Sequence, residues 1–159
     1  MSESKNNIKL IKPTIKDISS MANLVKEEVQ KGIILYRSYD EIASNISSYT
    51  LIKIDNILVG YCALHIHTIN LAEIRSLIIA KEYRSKGYSK LLINNALTQA
   101  KKLNLKKVLV LTYEKILFEK LGFYTISKDT LPKQKIFKDC INCKSYPICD
   151  EIALIYDII

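Results

Sequence analysis

The chain of 159 residues contains no tryptophan, only four glycines and only three arginines. No apolar run approaches the roughly 20 residues that cross a bilayer, which argues against a membrane-spanning helix. The opening residues MSESKNN lack the apolar core of a signal peptide, so we expect a cytoplasmic protein. No repeat, low-complexity tract or linker is present, which predicts a single domain over residues 1–159.

The charge balance is basic, with a formal net charge of +8 at pH 7. Such a charge suits nucleic acid, acidic lipid or a small polyanionic ligand. The lysines are scattered along the chain, and neither a basic tail nor an arginine-rich run stands out. We therefore expect a small polyanion as the ligand, and neither nucleic acid nor a membrane as a partner.

Hydrophobic periodicity predicts a mixed α/β domain with the element order β-α-α-β-β-β-α-β-α-β-β. Ser38 followed by Glu41 has the pattern of a helix capping box. Asp55-Asn56 between two apolar runs predicts a β-hairpin. The segment at about 129–150 is irregular and lysine-rich, and it contains most of the cysteines.

The stretch YRSKGYSKLL joins the end of a predicted strand to the start of a long amphipathic helix. A helix N-terminus offers unpaired N–H groups and partial positive charge, and Gly87 lets the backbone approach a ligand closely. Arg84 and Lys86 can add charge-assisted hydrogen bonds. The single glycine fits neither a P-loop nor a dinucleotide fingerprint, but the corner suits a phosphate. An ordinary solvated turn is the alternative.

Two motifs in the same order along the chain strengthen the phosphate interpretation. LIIAKEYRSKGYSKLL resembles the acetyl-coenzyme A loop of the GNAT acetyltransferase superfamily, with Arg84, Gly87 and Ser89 at the motif positions. Ser89 stands where glycine or alanine is usual. LFEKLGF, at 117–123, is similar to the superfamily helix that ends in Leu-Gly-Phe. The resemblance implies a GNAT-like α/β fold, a mixed, mostly antiparallel central sheet flanked by about four helices.

The same resemblance implies how acetyl-coenzyme A would bind. The end of the strand would pair with the pantetheine arm, and an N–H near Leu77 would stabilise the oxyanion. The backbone from Lys86 to Ser89 would hold the pyrophosphate. The implied cofactor-binding residues are Leu77, Ile78, Ile79, Arg84, Ser85, Lys86, Gly87, Tyr88, Ser89 and Phe118. No metal is expected.

Direct attack of an amine on the thioester needs a base, for which Glu73 is the candidate. Glu73 lies four residues before Leu77, with Arg75 between them, so regular alternation predicts one shared strand face. The alternative is that Glu73 pairs with a nearby lysine. Phe118 occupies the position where many superfamily members carry a tyrosine as general acid, and Tyr113 is the nearest substitute.

The acceptor is indicated by a narrower resemblance. Together, several segments of this chain resemble the short, single-domain bacterial N-acetylglutamate synthases: GIILYRS, AEIRSL, LTY, FEKLGF and LPKQKIFKDCINCKSYPICDEIAL. This implies acetylation of the α-amine of L-glutamate, the first step of arginine biosynthesis. Longer members carry an amino-acid-kinase domain, for which this chain has no room. The candidate residues for the two glutamate carboxylates are Arg37, Arg75 and Lys135, with Ser76; surface ion pairing is the alternative for the arginines.

Cys140, Cys143 and Cys149 cluster near the C-terminus. A tetrahedral zinc needs four ligands, so we interpret these residues as reduced cysteines in a loop, with a structural zinc as the weaker alternative. His65 and His67 share one strand face and are interpreted as structural.

Several functions stay open at this point. A related enzyme would acetylate another amino acid, a polyamine or a protein N-terminus, although a polyamine calls for an acidic pocket. A non-catalytic coenzyme A sensor is the candidate from another class, and a nucleic-acid-binding module is the weakest. The sequence leaves the oligomeric state open, a homodimer included.

Overall fold

The computed structural model describes residues 7–131 and 151–158. The strands are β1 (Ile8–Ile11), β2 (Tyr49–Ile54), β3 (Ile57–Ile66), β4 (Leu71–Ile79), β5 (Lys107–Thr112), β6 (Tyr124–Thr125) and β7 (Ile152–Asp157). The α-helices are α1 (Ile18–Gln30), α2 (Tyr39–Ser44), α3 (Tyr88–Lys102) and α4 (Lys115–Lys120). Short 3₁₀ turns occupy Ile15–Asp17, Ile46–Ser48, Lys81–Tyr83 and Lys128–Thr130.

These strands form one sheet in the order β1-β2-β3-β4-β5-β7-β6. Every neighbouring pair is antiparallel except β4 with β5, which is parallel. The element order and the mostly antiparallel sheet with four helices confirm the fold expected from the sequence. Within the described ranges, no helix combines the length and apolar character needed to cross a membrane.

Local sequence signals account for several element ends. The Ser38 hydroxyl accepts a hydrogen bond from the Glu41 N–H at 3.1 Å and caps α2, as predicted. Asp55 and Asn56 have φ of +50° and +66°, which builds the tight β2–β3 turn that their side chains tolerate. β6 is shorter than the strand predicted from FYTISK, because a 3₁₀ turn already begins at Lys128.

The sheet separates two apolar layers. On one face, α3 and α4 cover a large core that includes Ile52, Ile74, Leu92, Ile93, Val108, Phe118 and Leu154. On the other face, α1 and α2 cover a smaller core that includes Met21, Ile42, Leu51, Tyr61 and Ile78. Burial of these two layers against one sheet provides the main stabilising energy of the fold.

Gly60 in β3 lies against the carboxyl end of β4 with no room for a side chain. A Cβ atom there would lie 2.8 Å from the Ile78 carbonyl oxygen and 2.5 Å from Cδ1 of Ile79. Because a backbone carbonyl in a sheet cannot yield, we expect Gly60→Ala to lower the free energy of unfolding by about 1–3 kcal/mol. Urea denaturation measures this change.

The matched control for this prediction is Ile57→Thr, in the same strand, where the side chain is 59% exposed. It should change the free energy of unfolding by less than about 0.5 kcal/mol. A Gly60→Ala protein as stable as the wild type would contradict the close packing of β3 on the end of β4.

Candidate active site

A bulge in β4 sets the geometry of the site. Ser76 and Leu77 of β4 together lie opposite the single residue Cys62 of β3. Ser76 has a left-handed φ of +58°. The extra residue reverses the alternation of side chains along the rest of the strand.

This reversal corrects the expectation that Glu73, Arg75 and Leu77 share one face. Glu73 pairs across the sheet with His65, and Arg75 with Ala63, on the face covered by α1 and α2. Leu77 packs into the opposite core, beneath α3. Regular alternation would have kept all three together, and the single extra residue at the bulge is the physical reason that it does not.

Beyond the bulge, β4 and β5 separate. Their parallel pairing ends at Ile74 and Val110, whereas β5 continues beside β7 as far as Thr112. The gap opens into a cavity of about 650 Å³, a size that suits a small-molecule ligand. Its walls include the end of β4, the corner at 83–90 and the start of α4.

The corner before α3 has the backbone of an anion site. Ser85 and Gly87 both adopt left-handed φ values, +63° and +88°. A Cβ atom at Gly87 would meet nothing within 4 Å, so glycine is favoured there by backbone angle rather than by space. α3 begins at Tyr88, and the N–H groups of its first turn face outward without intrahelical acceptors. Ser89 lies in that first turn and lines the cavity.

The Arg84 side chain braces this corner. Its Nε donates to the Ile79 carbonyl oxygen at 2.9 Å, and a terminal nitrogen donates to Oε1 of Glu28 at 2.8 Å. Glu28 is 9% exposed and belongs to α1. The sequence predicts that this guanidinium faces phosphate, whereas in the structure it ties the end of β4 to α1. Lys86 places its ammonium 5.8 Å from the centre of the Tyr83 ring.

Glu73 is a buried carboxylate at the wall of the cavity. Its Oε1 lies 2.8 Å from Nε2 of His67, and both side chains are 2% exposed. From the sequence, Glu73 is predicted to be either the catalytic base or the ion-pair partner of a nearby lysine. The observed partner is a histidine, which stands directly after β3.

Arg37 and Arg75 both line this cavity. The Arg37 side chain is 8% exposed and donates to Oε1 of Glu41 at 2.7 Å. The charges of both arginines affect the pKa of the buried Tyr49 hydroxyl. Burial raises its pKa, and the positive charges of Arg37 and Arg75 and a hydrogen bond with Ser76 oppose that rise. Ser76 thus stands with the two arginines at one end of the cavity.

The two residues considered for the general acid are placed differently. Tyr113 follows β5, lines the cavity and is 45% exposed. Phe118 is 1% exposed, and its ring packs edge-on against Phe123 with centroids 5.1 Å apart. Phe118 therefore lines the cavity where the cavity borders the apolar core.

Lys135, Cys140, Cys143 and Cys149 lie outside the described residues. Among the residues that the structure does describe, no group of three or more His, Cys, Asp or Glu could hold a metal ion.

Sequence reasoning missed three residues of this site: Tyr49, His67 and Glu28. His67 has a visible signal in its alternation with His65, but that pattern indicates a shared face and not a carboxylate partner. Tyr49 and Glu28 reach the site from a distant strand and helix, and nothing local marks them.

Comparison with known proteins assigns the class. The family model described as acetyltransferase (GNAT) family matches residues 18–123. An uncharacterized N-acetyltransferase of Chlorobaculum tepidum is 34% identical over 139 residues, which cover 87% of this chain and 89% of that protein. The chain belongs to the GNAT family of acetyltransferases. The amino-acid acetyltransferase of Buchnera aphidicola subsp. Schizaphis graminum is 30% identical over 149 residues, which cover 92% of this chain and 33% of that protein.

Solved structures share the fold. N-acetylglutamate synthase from Neisseria gonorrhoeae, complexed with coenzyme A and N-acetyl-glutamate, matches with a TM-score of 0.84 at 22% identity, over 96% of this chain and 35% of that one. A Mycobacterium tuberculosis protein in complex with CoA matches with a TM-score of 0.79 at 19% identity, over 95% and 99%. The chain thus spans about a third of the amino-acid acetyltransferases that it matches. The fold and the coenzyme A complexes support acetyl-coenzyme A as the ligand.

The Arg84 brace leads to a prediction on coenzyme A binding. We expect Glu28→Ala to raise the coenzyme A Kd about three- to tenfold, because the corner loses the carboxylate that fixes Arg84. Isothermal titration calorimetry measures the Kd, and thermal unfolding checks that the variant is folded.

Glu27→Ala removes the same charge one residue away and is the matched control. Glu27 pairs with Lys31 and Lys81 at the surface, where such pairs contribute little. Equal Kd values for both variants would show that the corner does not depend on the brace.

Proposed function

We propose that this chain transfers the acetyl group of acetyl-coenzyme A to the α-amine of L-glutamate, the entry reaction of arginine biosynthesis. The observation that carries the proposal is the meeting of Arg37 and Arg75 in the cavity that Glu73 also lines. Two guanidinium groups suit an acceptor with two carboxylates, because each can bind one through paired hydrogen bonds. The matched relatives named amino-acid acetyltransferase support an amino acid as the acceptor.

The donor would lie across the end of β4. Beyond Ile74 the edge of β4 no longer pairs with β5, which leaves room beside Leu77 to Ile79 for the amide groups of the pantetheine arm; the Ile79 carbonyl oxygen on this segment already accepts from Arg84. The pyrophosphate would rest on the N–H groups from Lys86 to Ser89. This arrangement would bring the thioester to the bulge, where the side chains of β4 change from one face of the sheet to the other.

The reaction follows from this placement. Glu73 takes a proton from the acceptor's ammonium group, and the freed lone pair attacks the thioester carbonyl carbon. The carbonyl π electrons move to oxygen, where an N–H near Leu77 stabilises the oxyanion. The attacking nitrogen carries a positive charge in this intermediate and releases its second proton to solvent. Collapse of the intermediate then breaks the C–S bond, and the electron pair leaves with sulfur. The thiolate then takes a proton, for which Tyr113 at the cavity wall is the candidate donor.

A second acceptor class is favoured by one observation. A cavity of about 290 Å³ adjoins the site at Arg37 and Ser76, and its walls are mostly apolar. They include Val25, Val29, Ile34, Leu35, Tyr36 and Tyr39. An amino acid with a large apolar side chain could place its carboxylate on an arginine and its side chain in this cavity.

Release of free thiol from acetyl-coenzyme A tests the acceptor directly. We expect the highest kcat/KM with L-glutamate among glutamate, glutamine, aspartate, leucine, phenylalanine and spermidine. Glutamine is the sharpest comparison, since it differs from glutamate only in the side-chain carboxylate. If glutamine or aspartate matches glutamate, the glutamate assignment fails, and a preference for leucine or phenylalanine supports the second class. Coenzyme A binding without thiol release with any amine would indicate a sensor.

The arginine assignment has its own test. We expect Arg37→Ala and Arg75→Ala each to raise the glutamate KM by at least about tenfold, because each removes a charge-assisted contact worth about 1.5–3 kcal/mol. The acetyl-coenzyme A KM should change by less than about threefold. Steady-state kinetics with each substrate varied gives both values.

Lys9→Ala removes one exposed positive charge from β1 and is the charge-matched control. It should leave both KM values unchanged. If the arginine variants raise the two KM values equally, the arginines do not hold the acceptor.

A further inference from the structure

We propose that His67 is the positioning residue of Glu73: its Nε2–H holds one carboxylate oxygen and so aims the other at the acceptor amine. The inference rests on the proposed role of Glu73 as the base. It goes beyond that role because it assigns a function to a histidine that the sequence marks as structural.

The contact between His67 and Glu73 is short and buried. Nε2 of His67 lies 2.8 Å from Oε1 of Glu73, and each side chain is 2% exposed. A carboxylate can only accept hydrogen bonds, so an ionised Glu73 requires the proton of the imidazole to be on Nε2. At this burial a charged carboxylate needs a hydrogen-bond donor, and the Nε2–H of His67 supplies one.

The sheet explains why His67 reaches Glu73. Glu73 lies directly opposite His65 in the β3–β4 register, which makes His67 its diagonal neighbour on the same face. The His65 and His67 rings pack edge-on with centroids 4.8 Å apart. The carboxylate therefore lies beside two imidazoles, one within β3 and one directly after it.

The backbone fixes His67 independently of its ring. The His67 N–H donates to the Leu71 carbonyl oxygen at 2.9 Å, and the Thr68 hydroxyl accepts from the N–H groups of Asn70 and Leu71 at 3.2 and 3.1 Å. This turn closes the β3–β4 hairpin just before β4 begins. The backbone that carries the ring is thus held in place, which a residue that orients another side chain needs.

Orientation affects the rate of proton removal more than substrate binding. A glutamate has three rotatable bonds between its Cα atom and its carboxylate carbon, and a carboxylate that loses the His67 contact samples more positions, including ones from which the amine is out of reach. A displacement of about 1 Å in a reacting group can cost about 100-fold in rate. Loss of the His67 contact should therefore appear in kcat and not in the KM of either substrate.

Three substitutions separate orientation from packing. His67→Gln keeps an N–H donor at about the reach of Nε2, His67→Asn carries the same amide but stops short of it, and His67→Phe keeps the ring without a donor. We expect His67→Gln to retain kcat within about threefold. We expect His67→Asn and His67→Phe to lose about 10- to 100-fold, with both KM values and the coenzyme A Kd within about threefold. Thermal unfolding monitors each variant, and the Gln–Asn comparison stands even if His67→Phe does not fold.

A kcat for His67→Asn equal to that of His67→Gln would overturn the inference, and so would a loss that falls on KM. If the wild type acetylates no amine at all, the proposed function fails and this inference fails with it. If the wild type is active and His67→Asn is equally active, only the role of His67 is wrong.

Hydroxylamine as the acceptor gives an independent readout, because it is already neutral at pH 7 and needs no deprotonation before it attacks the thioester. With hydroxylamine the ratio of wild-type to His67→Asn activity should fall toward one. A ratio that stays as large as with the amino acid would place the defect outside deprotonation and overturn the inference.

Discussion

The site depends on one extra residue in β4. Because Ser76 adopts a left-handed backbone, the strand turns its side chains over between Arg75 and Leu77. Glu73 and Arg75 then face the helices that cover one side of the sheet, and Leu77 faces the core on the other side. A transfer between two substrates needs the donor and the acceptor to approach one point from different directions, and a regularly alternating strand would not provide that point.

Features that depend on a few adjacent residues could be predicted from the sequence. Ser38 and Glu41 specify the cap of α2, and Asp55-Asn56 specifies the β2–β3 turn, because each signal and its structural effect lie within the same four residues. The corner at Gly87 belongs to this class, since a left-handed residue before a helix restricts the choice of amino acid. The order of strands and helices followed from the same local patterns, with β6 shorter than expected.

The parts that could not be predicted depend on contacts between distant segments. Serine carries no mark of a left-handed backbone, so the bulge at Ser76 was invisible and the shared face of Glu73 and Leu77 was wrongly expected. The His67 partner of Glu73 depends on the β3–β4 register, which brings together two residues of different strands and has no local mark in the sequence. Arg37 and Arg75 were identified as a pair by resemblance, and only the fold brings them to one cavity.

The Arg84 brace has a consequence for how the protein acquires its donor site. The hydrogen bond from Arg84 to Glu28 joins residues 56 positions apart. The Nε of the same guanidinium donates to the carbonyl oxygen of Ile79, the last residue of β4. Because Glu28 belongs to α1, this contact requires α1 to be docked beside the end of β4. A partly folded chain in which α3 is formed but α1 is not docked therefore lacks the contact that holds the corner at 83–90 to the rest of the protein.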